Sequence, residues 1–138
     1  MEKITKGKYK IAVIDEDKIL SQSLVGELED AGFETVVAFD GEQGLRLVLS
    51  EEPDIVLLDI SMPKMDGMTM LAKLRESGKF GKQVLVFFLT NLNADDQIMG
   101  GVIKNEPSYY LVKSNYTVAD IVVKIKDCLE EKFEKVDK

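Results

Sequence analysis

Several apolar segments of this sequence are followed at once by side chains that could do chemistry. Asp15 and Glu16 follow the first segment, Asp59 the third, Thr90 the fourth and Lys113 the fifth. Such segments predict strands of a parallel sheet, and ligands bind beyond the carboxyl ends of such strands. We therefore expect these side chains to converge. Since like charges about 5 Å apart repel by about 3 kcal/mol at an effective dielectric near 20, the three acids need cations beside them.

The chemistry that this set suggests is metal-assisted phosphoryl transfer. Carboxylates without histidine or cysteine favour hard cations, and open water positions suit Mg²⁺, with Mn²⁺ as the substitute. Attack of the Asp59 carboxylate on phosphorus would give an aspartyl phosphate, while the metal, Lys113 and Thr90 would neutralise the transferring oxygens. For any single acid a helix cap is the commoner role, and Asp17 is predicted to be an N-cap.

Composition excludes several other classes of function. The chain has 138 residues, a formal charge of −7, one cysteine and no histidine. It therefore has no internal disulfide, no thiolate zinc cluster and no imidazole acid–base chemistry. Excess acid disfavours nucleic acid and anionic membranes as partners, and no apolar run is long enough for a membrane span. We expect a cytoplasmic protein without a targeting segment.

The length predicts one domain over residues 1–138, with a core at about 10–133 and terminal extensions at 1–9 and 134–138. Short apolar runs alternate with segments of helical periodicity. The predicted strands are Ile11–Ile14, Phe33–Phe39, Ile55–Leu58, Val84–Leu89 and Tyr109–Val112. The predicted helices cover 20–31, 41–50, 68–77 and 118–129, with a weaker one over 93–105 that contains Gly100 and Gly101. This alternation predicts an α/β fold: an open parallel sheet with helices on both faces.

One segment resembles a known family. Asp54–Gly67, DIVLLDISMPKMDG, is similar to the phosphorylation segment of bacterial response-regulator receiver domains, with Asp59 as the acceptor. The other marks of that family follow in order. They are the acidic pair Asp15-Glu16, the switch hydroxyl Thr90, the aromatic switch position Tyr110 and the basic residue Lys113.

This resemblance implies a flavodoxin-like fold, with five parallel strands in the order 2-1-3-4-5. It also implies a partner histidine kinase or phosphotransfer protein, which supplies the phosphoryl group, and a downstream protein partner. Mg²⁺ would be held by Asp15 or Glu16, by Asp59 and by the backbone carbonyl of Ser61. Thr90 and Tyr110 would then move and change a protein-binding face. Such a protein is a signalling switch rather than an enzyme, since it catalyses only its own phosphorylation and dephosphorylation.

Three positions depart from the pattern of the family. Asn91 follows Thr90, where the family usually has alanine or another small residue. Ser114 follows Lys113, where the family usually has proline, often in a cis bond that costs about 3–4 kcal/mol for other residues. The segment 104–108, KNEPS, lacks the usual small pair. These departures concern the rate and geometry of switching.

Two other functions fit the same fold class. The first is a receiver-like interaction module that is no longer phosphorylated, whose usual mark is loss of the acceptor, the acidic pair or the lysine. The second is an aspartyl-phosphate phosphatase of the haloacid dehalogenase type, which usually carries a second Asp two residues after the nucleophile. That position is Ser61 here, which argues against the phosphatase.

Overall fold

A computed structural model describes residues 9–90, 108–112 and 116–130 of the chain, leaving aside the side chains of Thr90, Ser108, Tyr110 and Val112. These residues include a five-stranded parallel sheet in the order β2-β1-β3-β4-β5. The strands are β1 (Lys10–Ile14), β2 (Glu34–Ala38), β3 (Ile55–Asp59), β4 (Leu85–Thr90) and β5 (Ser108–Val112). Each lies within one residue of its predicted run, and the predicted α/β, flavodoxin-like fold is confirmed.

Helices cover both faces of this sheet. They are α1 (Lys18–Asp30), α2 (Gly41–Glu51), α3 (Gly67–Arg75), α4 (Lys79–Gln83) and α5 (Val118–Leu129). The short helix α4 was not predicted. The helix predicted over 93–105 lies outside the described residues, as do residues 1–8 and 134–138 of the terminal extensions. No helix in the described ranges is long and apolar enough to cross a membrane.

The four longer helices begin at side chains that accept a backbone hydrogen bond from the residue three positions later. These N-caps are Asp17 for α1, Asp40 for α2, Asp66 for α3 and Thr117 for α5, with distances of 2.8–3.0 Å. Each satisfies one N–H group that the helix itself leaves unpaired. The prediction that Asp17 caps its helix is confirmed, and Gly32, just after the end of that helix, has φ 99°.

Alternate residues of each central strand enter two separate cores. On one face, Ile55 and Leu57 pack with α1 and α5, while on the other Val56 and Leu58 pack with α2 and α3. Every residue of β3 is buried, which explains its unbroken apolar sequence. In α2, Val48 is buried, whereas Leu49 is 37% exposed. Burial of each large aliphatic side chain stabilises the fold by about 1.5–3 kcal/mol.

Candidate functional site

The site lies at the carboxyl ends of β1 and β3, where the strand order reverses. Ile14 of β1 is the register partner of Leu58 of β3, so the next residues, Asp15 and Asp59, emerge side by side. Neighbouring strands lie about 4.8 Å apart. Both side chains are almost fully buried, with 2% of Asp15 and 6% of Asp59 exposed. The structure therefore brings these two predicted site residues together at the crevice where ligands of such folds bind.

Asp15 is held by the turn that leads into α1. Its carboxylate Oδ1 accepts a hydrogen bond of 2.9 Å from the backbone N–H of Asp17, and its own N–H donates to the carbonyl of Ala38 at 3.2 Å. The first bond ties the carboxylate to the helix start, and the second ties the backbone to β2. Together these two hydrogen bonds hold the backbone and the carboxylate of Asp15 in place at the crevice.

Glu16 behaves differently from its neighbour, because its side chain is exposed while that of Asp15 is buried. Among the residues that the structure describes, no three Asp, Glu, His or Cys side chains gather as a metal-binding group. The described geometry thus pairs Asp15 with Asp59, and Glu16 stands at the solvent side of the crevice. Its role as a ligand stays a prediction.

Asp59 is the last residue of β3, and the loop over residues 60–66 connects it to α3. The N–H of Ser61 donates to Asp59 Oδ1 at 3.4 Å, a long hydrogen bond that turns the chain back beside the carboxylate. The loop is closed at its far end, where the N–H of Gly67 donates to the carbonyl of Ile60 at 2.8 Å. Residues on either side of the loop are therefore in direct contact.

Gly67 is required by that contact. A Cβ at this position would overlap the carbonyl oxygen of Asp59 and would lie 2.9 Å from the Cα of Ile60. Real Cβ atoms essentially never approach a backbone atom this closely. Any side chain at position 67 would consequently push α3 away from the end of the strand that carries Asp59.

The middle of the loop contains a tight turn. The N–H of Met65 donates to the carbonyl of Pro63 at 2.7 Å, and Lys64 between them has φ 70°. This three-residue hydrogen bond with a positive φ at a residue other than glycine fits a γ-turn, which is rare and strained. Met62 and Met65 pack against the core beneath α2 and α3, and these contacts help to hold the turn.

The remaining predicted residues are placed only through the backbone. Thr90 ends β4, opposite Val112, and β4 lies beside β3 with Leu89 opposite Asp59. Tyr110 lies in β5 opposite Phe88. The side chains of Thr90 and Tyr110 lie outside the described part of the structure, and so do Lys113, Asn91, Ser114 and the segment 104–107.

The donor set at the crevice fits Mg²⁺ on chemical grounds. Mg²⁺ prefers oxygen ligands, keeps several waters and is commonly held by only one or two protein carboxylates. Asp15 and Asp59 supply two buried carboxylates at the ends of neighbouring strands. Two like charges in this position also make a bound cation favourable, because about 3 kcal/mol of repulsion would be relieved.

Comparison with known proteins identifies the class that this fold and site define. The model of the response regulator receiver domain family matches residues 11–126, and the chain belongs to this family. The predicted resemblance is thereby confirmed.

Two curated relatives illustrate the match. The chain is 32% identical over 124 residues to the transcriptional regulatory protein PrrA of Mycobacterium tuberculosis, covering 89% of this chain and 51% of that protein. It is 34% identical over 88 residues to the alkaline phosphatase synthesis transcriptional regulatory protein PhoP of Bacillus subtilis, covering 64% of this chain and 34% of that protein. The chain thus spans about a third to a half of the length of these relatives.

Solved structures show the same fold. The receiver domain of the Francisella response regulator 1452 has a TM-score of 0.78 at 26% identity, over 90% of this chain and 98% of that one. CheY in the CheX–CheY–BeF₃–Mg²⁺ complex from Borrelia burgdorferi has a TM-score of 0.76 at 26% identity, over 88% and 89% of the two chains. A CheY-like receiver from Methanospirillum hungatei, at 23% identity, has a TM-score of 0.81 over 93% and 98%.

Proposed function

We propose that this protein is a phosphoacceptor response regulator that receives a phosphoryl group on Asp59. The observation that carries the proposal is the position of Asp59, buried at the end of the central strand beside the second buried carboxylate, Asp15. A carboxylate in such a place is shielded from bulk water and faces a crevice that small ligands and a partner side chain can reach. Family membership supports the same reading.

The reaction exchanges one bond to phosphorus for another. An oxygen of the Asp59 carboxylate attacks phosphorus of a phosphohistidine on a histidine kinase or phosphotransfer protein, so a P–O bond forms. The P–N bond breaks, and its electron pair returns to the leaving imidazole nitrogen. Because these 138 residues contain no histidine, the phosphohistidine must lie outside them. Attack of water on the acyl phosphate later returns Asp59 to a carboxylate and releases inorganic phosphate.

Asp15 and Asp59 are the proposed protein ligands of Mg²⁺, together with the backbone carbonyl of Ser61. Glu16 is the alternative to Asp15. When bound, the ion supplies positive charge that neutralises the phosphoryl oxygens in the transition state. The relative from Borrelia burgdorferi, whose described complex contains CheY, BeF₃ and Mg²⁺, supports this assignment by its similarity. Mn²⁺ has the same preference for oxygen ligands and is the expected substitute.

Thr90 and Lys113 are the proposed contacts of the acyl phosphate. The backbone of β4 ends beside that of β3, which supports the placement of Thr90 near Asp59. Phosphate binding to these groups would favour one of two arrangements of the chain, with Tyr110 as the second switch residue. The changed face would then bind a downstream protein, and we propose no contact with nucleic acid because the chain carries a charge of −7.

Intact-mass spectrometry after incubation with Mg²⁺ and a small acyl phosphate donor tests this function. We expect the mass of one phosphoryl group to be gained by the wild type and not by Asp59→Asn. Asp66→Asn is the matched control, because asparagine also caps helices and Asp66 lies in the same loop. No gain with any donor or kinase would favour the non-phosphorylated interaction module, and sustained turnover of phosphate esters would favour a phosphatase.

A further inference from the structure

The first residue of α2 packs directly against the loop that follows Asp59. A Cβ at Gly41 would overlap the carbonyl oxygen of Met65 and would lie 2.8 Å from both the carbonyl carbon and the Cβ of Met65. Gly41 is not among the described residues with positive φ, so its backbone conformation is open to any residue. Glycine is therefore needed at this position for space and not for conformation.

The contact between Gly41 and Met65 lies in the loop that follows Asp59, the proposed phosphoacceptor. Met65 belongs to the tight turn with Lys64, and the loop around it is closed by the hydrogen bond between Gly67 and Ile60. Because both ends of the loop are fixed to the strand end, a displacement of Met65 cannot be absorbed at a free terminus. It must be passed on to residues 60–62, which adjoin Asp59.

A second contact joins α2 to the same turn. Asp40, the N-cap of α2, accepts a hydrogen bond from the N–H of Gln43 at 2.8 Å, and its other oxygen lies 3.9 Å from Nζ of Lys64. The Lys64 side chain is 62% exposed and that of Asp40 19%, so water reaches the ion pair from the lysine side and the pair contributes little free energy by itself. Together with the packing of Gly41, it shows that two successive residues at the start of α2, Asp40 and Gly41, both contact the loop.

We propose that Gly41 is a positioning residue for phosphoryl transfer. By letting α2 approach the backbone of Met65, it holds the loop so that the Ser61 carbonyl and the Asp59 carboxylate keep the geometry that Mg²⁺ requires. This inference rests on the proposed function of Asp59. Residues that orient metal ligands without touching the metal typically change metal affinity by roughly 10- to 100-fold when they are altered.

The test compares three substitutions of glycine by alanine in helices. Gly41→Ala places a methyl group against the loop. Gly44→Ala, one turn later in α2, places a methyl group 2.7 Å from Cγ2 of Ile14 in the core, away from the loop. Gly26→Ala in α1 meets no atom within 4 Å. Gly26→Ala and Gly44→Ala gain helix propensity of up to about 1 kcal/mol, and Gly41→Ala gains less because it is the first residue of α2, so the variants are compared by Mg²⁺ affinity rather than by stability.

Mg²⁺ affinity is measured by isothermal titration calorimetry at a temperature where circular dichroism shows each variant to be folded. We expect Gly41→Ala to weaken Mg²⁺ binding by roughly 10- to 100-fold and to slow phosphorylation at subsaturating Mg²⁺. Gly44→Ala should lower stability and keep the wild-type affinity, and Gly26→Ala should keep the wild-type affinity with neutral or raised stability. Equal affinities for Gly41→Ala and the wild type would overturn the positioning role and leave the proposed function intact.

A second variant covers the case in which Gly41→Ala does not fold. In Gly41→Ala/Lys64→Gly the turn gains a glycine at φ 70°, which removes the cost of that conformation and lets the loop move away from the new methyl group. We expect this double variant to fold and to bind Mg²⁺ more weakly than Lys64→Gly alone. Equal affinities of these two variants would overturn the inference. A wild type that neither binds Mg²⁺ nor gains phosphate would instead overturn the proposed function on which it rests.

Discussion

Asp15, the residue after β1, and Asp59, the last residue of the adjacent parallel strand β3, follow the register pair Ile14 and Leu58, and both are buried. A fold that needed only stability would place apolar residues at these strand ends, because two neighbouring carboxylates repel each other. The two neighbouring carboxylates therefore support the proposal that the crevice binds a cation when the protein functions.

Mg²⁺ should stabilise the wild-type protein against thermal unfolding. At a concentration of a hundred times the dissociation constant, binding to the native state alone raises the free energy of unfolding by about 2.7 kcal/mol. Asp15→Asn should lose most of this increase, since it removes a proposed ligand. Asp17→Asn is the control, because it also removes one charge and asparagine preserves the N-cap. A Mg²⁺-induced increase in Asp15→Asn equal to that in the wild type would exclude Asp15 as a ligand.

Gly67→Ala should destabilise the protein by about 1–3 kcal/mol, the usual cost of inserting a methyl group into a filled space. The added Cβ would overlap the Asp59 carbonyl oxygen. Urea unfolding followed by circular dichroism measures the change. Gly26→Ala should be neutral or stabilising in the same assay, because its Cβ meets no atom within 4 Å. A stable Gly67→Ala protein with unchanged phosphorylation would contradict the close packing of α3 on β3.

The start of α5 gives a prediction about pH. The backbone N–H of Thr117 donates to Oδ2 of Asp120 at 3.0 Å, and this hydrogen bond, with a smaller contribution from the Thr117 side chain, holds the pKa of Asp120 below its ordinary value of 3.8 because it favours the carboxylate. An acid with a lowered pKa stabilises the fold above its unfolded pKa, and this contribution disappears as the pH falls through the folded pKa. Wild type should therefore exceed Asp120→Asn in melting temperature near neutral pH, and the difference should shrink below pH 3.8. A difference that is constant from neutral to acid pH would contradict this assignment.

Arg75 should be important for the region between α3 and β4. Its Nη1 donates to the carbonyls of Gly81 and Val84 at 2.9 and 2.8 Å, at the end of α4. Burial lowers the pKa of Arg75, although a guanidinium stays charged at any physiological pH. Arg75→Ala should cost about 2–3 kcal/mol of stability in urea unfolding, the range for hydrogen bonds to charged groups. Arg46→Ala, at an exposed position of α2, should leave stability unchanged, and equal losses in the two variants would contradict this role.

The sheet could be predicted from the sequence because parallel strands buried on both faces need continuous apolar runs. The position of Asp59 at the end of a central strand followed from the same runs, since the residues at the carboxyl ends of such strands lie at the ligand-binding edge. Glu16 reaches the same edge, but consecutive residues point in different directions as the chain leaves β1, so its side chain is exposed while that of Asp15 is buried. Strand ends predict which residues reach the edge and not which way each side chain turns.

Contacts between distant segments were beyond prediction. Helix α4 contains Gly81, follows Gly78, and has an end that is held by Arg75, so local propensity alone gave no sign of it. The role of Gly41 depends on where the loop after β3 lies, which no local pattern shows. A usable signal was present nonetheless, because Asp-Gly occurs at both 40–41 and 66–67, and each pair begins a helix that meets the same loop.

The central claim, that Asp59 is the phosphoacceptor, is tested most directly by finding which residue carries the phosphoryl group. The protein is treated with Mg²⁺ and a small acyl phosphate donor, reduced with borohydride, which converts an aspartyl phosphate to homoserine, and digested for peptide mass spectrometry. Homoserine at position 59 and at no other position is the predicted result. Reduction at another acidic residue, or a wild-type protein that takes up no phosphate from any donor or kinase, would contradict the assignment of Asp59 as the phosphoacceptor.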